Sequence, residues 1–175
     1  MSFSSNAQAV SCFVCTKHML GDRAPGGVLY RDELVYAGHV YTMGDEAAYR
    51  GHLVVEPRRH VEGFGLLTHD EAERVGRVAN ELAAVLRAKL GADHVYVWAV
   101  GGAPESERTP AHLHVHLVPR YPGTPLEYQG AAVTRWPESP RVDEAAMRAL
   151  VDQLREGLAA GCVEPLGARD YHFLL

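Results

Sequence analysis

The chain has 175 residues, 17 basic against 22 acidic, for a formal net charge of −5, with 47% hydrophobic and 22% charged residues. This is the composition of one globular domain, or of one with a terminal extension, and it excludes disordered, collagen-like and coiled-coil chains. The negative charge excludes a general nucleic-acid binder, whose attraction to phosphate needs a positive field, while a small anionic ligand held by local groups remains possible.

In chain order, residues 1–11 read as a flexible tail with neither the basic region nor the apolar core of a secretory signal. Cys12-Phe-Val-Cys15 follows. With Cys162 far away, three cysteines make no disulfide framework, and the close pair points to metal or redox chemistry in a reducing compartment. No apolar run approaches a membrane span, so no membrane contact and a cytoplasmic location are expected.

Residues 34–41 are β-prone between polar turns and predict a strand, and His52–Glu56 predicts another, which Pro57 should stop. Between His69 and Leu90 the apolar Val75, Val78, Ala79, Leu82, Val85 and Leu86 recur at helical spacing, with a Thr68/Glu71 capping box before them and Gly91 after. His94–Val100 predicts a strand ending at Gly101-Gly102. A polar loop, 103–110, leads to a predicted strand over 111–118, then a turn-rich stretch and a helix over about 142–159. A long helix between hairpin-like strands, without a βαβ series, indicates an α+β fold with an antiparallel sheet.

The 111–118 strand carries three of the ten histidines, His112, His114 and His116. Alternation puts all three on one face, with Leu113, Val115 and Leu117 toward the core. At a rise of about 3.3 Å per residue the outer pair lies about 13 Å apart, so a flat strand cannot close all three on one metal. One end histidine could join ligands from elsewhere while the others do different work. A Cys-x-x-Cys pair bites one zinc ion and needs two more ligands, for which His18, His60 and His112 are candidates. A thioredoxin-like redox role needs a strand before Cys12, where only the tail stands.

His112-Leu-His-Val-His-Leu-Val-Pro-Arg120 resembles the signature of the histidine-triad (HIT) superfamily. Gly51-His-Leu-Val-Val-Glu-Pro-Arg-Arg-His60 resembles its upstream strand with Pro-x-x-His, and Cys12-Phe-Val-Cys15 and Leu29-Tyr-Arg-Asp-Glu33 resemble the amino-terminal part of its zinc-containing bacterial branch. The likeness runs over roughly residues 12–136 in the family's order. It implies a HIT-like α+β fold, a five-stranded antiparallel sheet with a long helix and a C-terminal helix, usually as a homodimer. On that basis residues 12–120 form the catalytic domain, and 121–175 an extension packed on the domain or on a dimer partner.

The resemblance further implies attack on the α-phosphate of a nucleoside phosphate derivative, a phosphoramidate or a dinucleoside polyphosphate, with hydrolysis or nucleotidyl transfer. His114 would be the nucleophile, His116 would contact the phosphate oxygens or bridging atom, His52 would approach the same phosphate, and Thr109 would hydrogen-bond near the leaving group. Cys12, Cys15, His60 and His112 would hold one structural zinc, with His18 as the competitor of His60, and no metal is needed in the chemical step. Loop 101–110 departs from the family pattern: Arg108 stands where a glutamine is common, and Glu105 and Glu107 would repel a polyphosphate leaving group. The alternative is therefore a catalytically weak nucleotide-binding or sensing module. A metal-dependent hydrolase using His114 and His116 as ligands lacks a nearby carboxylate, since residues 109–119 contain no Asp or Glu.

Overall fold

Local signals set the longest elements, and longer-range contacts set the rest. The computed structural model describes residues 12–41, 46–102 and 111–159. Helix α1 spans Phe13–Met19, strands β1 and β2 Val28–Arg31 and Val35–His39, β3 Ala48–Tyr49 and β4 Leu53–Pro57; α2 spans His69–Leu90, β5 and β6 His94–Val100 and His114–Arg120, β7 Arg141–Val142 and α3 Glu144–Ala159. The main sheet is five-stranded, in the order β1-β2-β4-β6-β5, with every neighbouring pair antiparallel. The fold is the α+β arrangement expected, and β3 and β7 form a separate two-stranded ladder.

Helix α2 has the predicted bounds because both ends are specified by their own residues. Glu71 N–H donates to Thr68 Oγ1 at 3.2 Å, Thr68 N–H donates to the Glu71 carboxylate at 2.8 Å, and Gly91 closes the helix at φ +68°. Val75, Leu82, Val85 and Leu86 pack this helix on one sheet face, and Leu150, Val151 and Leu154 of α3 join the same core. Helix α3 starts two residues later than predicted, because Val142 is drawn into β7 and the Asp143 carboxylate caps Ala146 N–H at 2.8 Å.

Three strand predictions shift for physical reasons. β2 is shorter than 34–41 at its start, because the Asp32 carboxylate accepts from Leu34 and Val35 N–H and holds that end in a turn. Pro57 does not stop β4 but ends it as the last ladder pair, opposite Val35. The histidine strand begins at His114 rather than 111, because Leu113 N–H donates to Val61 O at 2.6 Å and ties the preceding segment to the chain after β4. Among the described residues no helix is long and apolar enough to cross a membrane. The tail 1–11, loop 103–110 with Thr109, and Cys162 lie outside the described residues.

Candidate functional site

The face of the sheet opposite α2 carries two clusters. The first is built where α1, the chain after β4 and the chain before β6 meet. His112 immediately precedes β6, and its ring meets the two cysteines at the start of α1 on this face. His112 Nδ1 lies 3.6 Å from Cys12 Sγ and 3.5 Å from Cys15 Sγ, and Cys15 Sγ lies 3.4 Å from His60 Nδ1. The four donor atoms all fall within 4.8 Å of one another. His112 Nε2–H donates to Pro57 O at 2.8 Å, which places the proton there and leaves the Nδ1 lone pair facing the thiols.

Tetrahedral zinc with ligand distances of about 2.0–2.3 Å requires donor separations of about 3.3–3.8 Å, and the Cys12–His112, Cys15–His112 and Cys15–His60 separations fall in that range, so the set can hold one zinc ion. Burial and the neighbouring Cys12 push the Cys15 thiol up to about 12, so a cation must displace its proton to bind. His18, the competing candidate, is elsewhere: its Nε2 lies 2.9 Å from Glu56 Oε2, while Lys17 Nζ lies 2.7 Å from Glu56 Oε1.

The second cluster lies on β4 and β6. His114 Nδ1–H donates to His112 O at 2.8 Å, which fixes the tautomer and leaves Nε2 as the lone-pair nitrogen. His116 Nδ1 and His52 Nε2 are 2.8 Å apart and share a hydrogen bond, and the His114 and His116 rings meet edge to face at 4.7 Å. Burial, and then the charge of His114, lower His116 to about 4; burial and His116 hold His52 well below its usual range. Both rings are neutral at pH 7. The structure thus brings His52, His114 and His116 together, one step along β6 from the first cluster.

Sequence reading missed several neighbours. Trp98, paired with His116 across β5 and β6, stacks on that ring at 5.5 Å and 25°; alternation along the two strands would have shown it. Glu56 is a buried carboxylate which, one step beyond the Val55/Val115 pair, lies across from His114. Burial alone would raise it, but the hydrogen bond from His18 and the charge of Lys17 bring it down to about 2. His39 is 2% exposed and structural: Nδ1–H donates to Val40 O at 2.6 Å and Nε2 accepts from Gly51 N–H at 2.9 Å. Of the arginines that could have supplied charge to a phosphate beside the histidines, Arg59 is paired with Glu71 and Arg120 with Asp93, while Arg58 donates to the backbone oxygen of Asp32.

Comparison with known proteins agrees with this geometry. The profile of the HIT domain matches residues 22–123. An uncharacterised HIT-like protein of Methanocaldococcus jannaschii is 29% identical over 113 residues, 64% of this chain and 81% of that protein. The fold is similar to that of a Zn-bound histidine triad family protein from Mycobacterium smegmatis, at TM-score 0.61 and 23% identity, covering 87% of this chain and 96% of that one. It is also similar to that of a hypothetical histidine triad nucleotide-binding protein from Sulfolobus tokodaii, at TM-score 0.56 and 18% identity, over 77% and 84% of the two chains. With more than half of its length matched and its histidines gathered on one sheet face, the chain belongs to the HIT family.

Proposed function

We propose that this HIT protein is a nucleotide hydrolase or nucleotidyl transferase whose nucleophile is His114. The HIT family comprises nucleotide-binding proteins and nucleotide hydrolases or transferases. The observation that carries the reading further is the hydrogen bond from His114 Nδ1–H to His112 O, which leaves Nε2 as the nitrogen that can attack, beside the rings of His52 and His116.

In the first step His114 Nε2 attacks the α-phosphorus of a nucleoside phosphoramidate or dinucleoside polyphosphate. A phosphorus–nitrogen bond forms, the bond to the leaving group breaks, and the leaving group takes its electron pair. His116 supplies the proton when His52 donates Nε2–H to its Nδ1, because the His116 proton then sits on Nε2. Water next attacks the nucleotidyl-imidazole and returns a proton to His116 Nε2, the phosphorus–nitrogen bond breaks with its electron pair going to His114 Nε2, and nucleoside monophosphate leaves; a second acceptor in place of water gives transfer. Stacking on Trp98 holds the His116 ring in plane for that role. Thr109 is proposed to hydrogen-bond near the leaving group.

Cys12, Cys15, His60 and His112 are proposed to hold one structural zinc, which fastens α1 to the start of the catalytic strand. The bound ion supplies rigidity rather than a reacting group. A homodimer in the cytoplasm completes the reading, supported by β5, an edge strand whose Val97 is 53% exposed.

The test is turnover of adenosine phosphoramidates and diadenosine polyphosphates by the wild type and by His114→Ala, each with zinc content measured. Turnover reduced by about 10⁴-fold in the variant at unchanged zinc content supports the reading. Nucleotide binding without turnover in the wild type would instead identify a sensing module.

A further inference from the structure

We propose that a cavity bounded by α1, the β1–β2 hairpin and the chain after β4 is a second anion site, built for a phosphate-type oxyanion. The cavity has a volume of about 340 Å³ and is lined by His18, Gly21, Arg31, Asp32, Tyr36 and Arg58. None of the histidines of the proposed active site lines it.

Two guanidiniums reach this one space, and among the described residues neither has a firm carboxylate partner. Arg58 is positioned by a neutral acceptor, donating Nη1–H to Asp32 O at 2.8 Å. Arg31 pairs with Asp22 at 3.6 Å, a carboxylate whose side chain is 83% exposed, a contact too loose and too solvated to neutralise it. Gly21 makes room for that guanidinium: a Cβ there would stand 3.1 Å from Arg31 Nη1, and the positive φ of +53° suits the bare residue.

The carboxylates that could balance this charge are committed. Asp32 lines the cavity, but its oxygens accept from Leu34 N–H, Val35 N–H and Tyr30 OH and pair with Arg74. Burial would raise that carboxyl, and these partners outweigh burial and bring it to about 2. Glu56 is bound by Lys17 and His18. His18 also lines the cavity, and its Nδ1 is buried with no hydrogen-bond partner among the described residues.

Two guanidiniums lining one cavity favour an anion bound between them. The group that matches is a tetrahedral oxyanion, because guanidiniums bind phosphate oxygens through paired N–H donors. The volume admits a phosphate bearing a small organic group. Inorganic phosphate and the phosphate end of a nucleoside monophosphate share this chemistry.

The test is calorimetric titration of the zinc-loaded full chain with inorganic phosphate and, separately, with adenosine 5′-monophosphate. Three variants are compared with the wild type: Arg31→Gln/Arg58→Gln, the charge-matched control Arg77→Gln/Arg87→Gln on α2, and His114→Ala. Phosphate binding weakened at least about tenfold in the first, a loss of about 1.4 kcal/mol, and unchanged in the other two supports the site. A monophosphate component lost in the Arg31/Arg58 variant identifies a phosphomonoester as ligand; its absence identifies free phosphate. No phosphate binding by the wild type at tens of millimolar, equal weakening in the α2 control, or loss in His114→Ala overturns the proposal.

Discussion

His112 and His114 stand two residues apart, yet they belong to regions of opposite character. His112 has both ring nitrogens committed inside the protein, one to Pro57 O and one to the thiols of Cys12 and Cys15. His114 has one nitrogen committed, to His112 O, and the other left for a substrate. The first region is a donor set that joins three segments distant in sequence; the second is a row of imidazoles brought together by the paired strands β4 and β6. Between them, Leu113 N–H donates to Val61 O, and β6 begins at His114. The proposed function divides this histidine alternation between holding the chain together and reacting.

The contrast predicts that the two regions fail differently, most severely at the donor set. His60→Ala and Cys15→Ser should lose the metal and destabilise the chain by about 5 kcal/mol or more. His18→Ala should keep one zinc per chain. Hydrogen exchange should place the loss in α1 and spare α2, whose core lies across the sheet, and metal analysis alongside exchange measures both. Uniform loss of protection would show that the two faces are not separable.

Glu56→Gln comes next. The carboxylate holds Lys17 and His18 beneath the sheet, and removing its charge leaves a buried ammonium unpaired, at a cost of about 3–5 kcal/mol. Denaturant unfolding of the zinc-loaded variant checks this. A change below about 1 kcal/mol would mean that Lys17 swings out to water.

The smallest effect is a pH dependence carried by His39. Burial holds its folded pKa at about 4, against an ordinary value of 6.5. Above pH 6.5 the ring is neutral in both states, and its stabilising bonds are fully present. As pH falls through 6.5 toward 4 the unfolded chain takes up a proton that the folded chain resists, so that stability is lost across this window. The stability advantage of the wild type over His39→Gln should therefore shrink between pH 6.5 and 4, by about 3 kcal/mol at most. Taking the difference at equal zinc content cancels the titration of the metal ligands. An advantage constant across the window would place the acid sensitivity elsewhere.

What the sequence disclosed follows the same division. Helix α2 and strand β5 were legible to the residue, because a capping box, a terminal glycine and a periodic apolar face are all local. The gathering of His52, His114 and His116 followed from alternation together with the family motif. The place of His112 beside Cys12, Cys15 and His60 was legible in the motif as well, whereas the backbone bonds that hold it there were not, because they depend on Val61 and Pro57, more than fifty residues earlier. Helix α1 was hidden for a similar reason. It is seven residues long and has no side-chain cap, and it rests on the Cys12/Cys15 donor set and on the Lys17 and His18 bonds to Glu56.

The central claim is that neighbouring histidines divide the work, His112 holding metal and His114 carrying the nucleotide. The most direct measurement is acid-free quench of the enzyme during turnover of a labelled dinucleoside polyphosphate, followed by peptide mass spectrometry and zinc analysis of the same sample. One nucleotidyl group on His114, one zinc per chain, and no adduct on His116 or His52 are expected. A nucleotidyl group on another residue, or turnover that continues in His114→Ala, would contradict the claim.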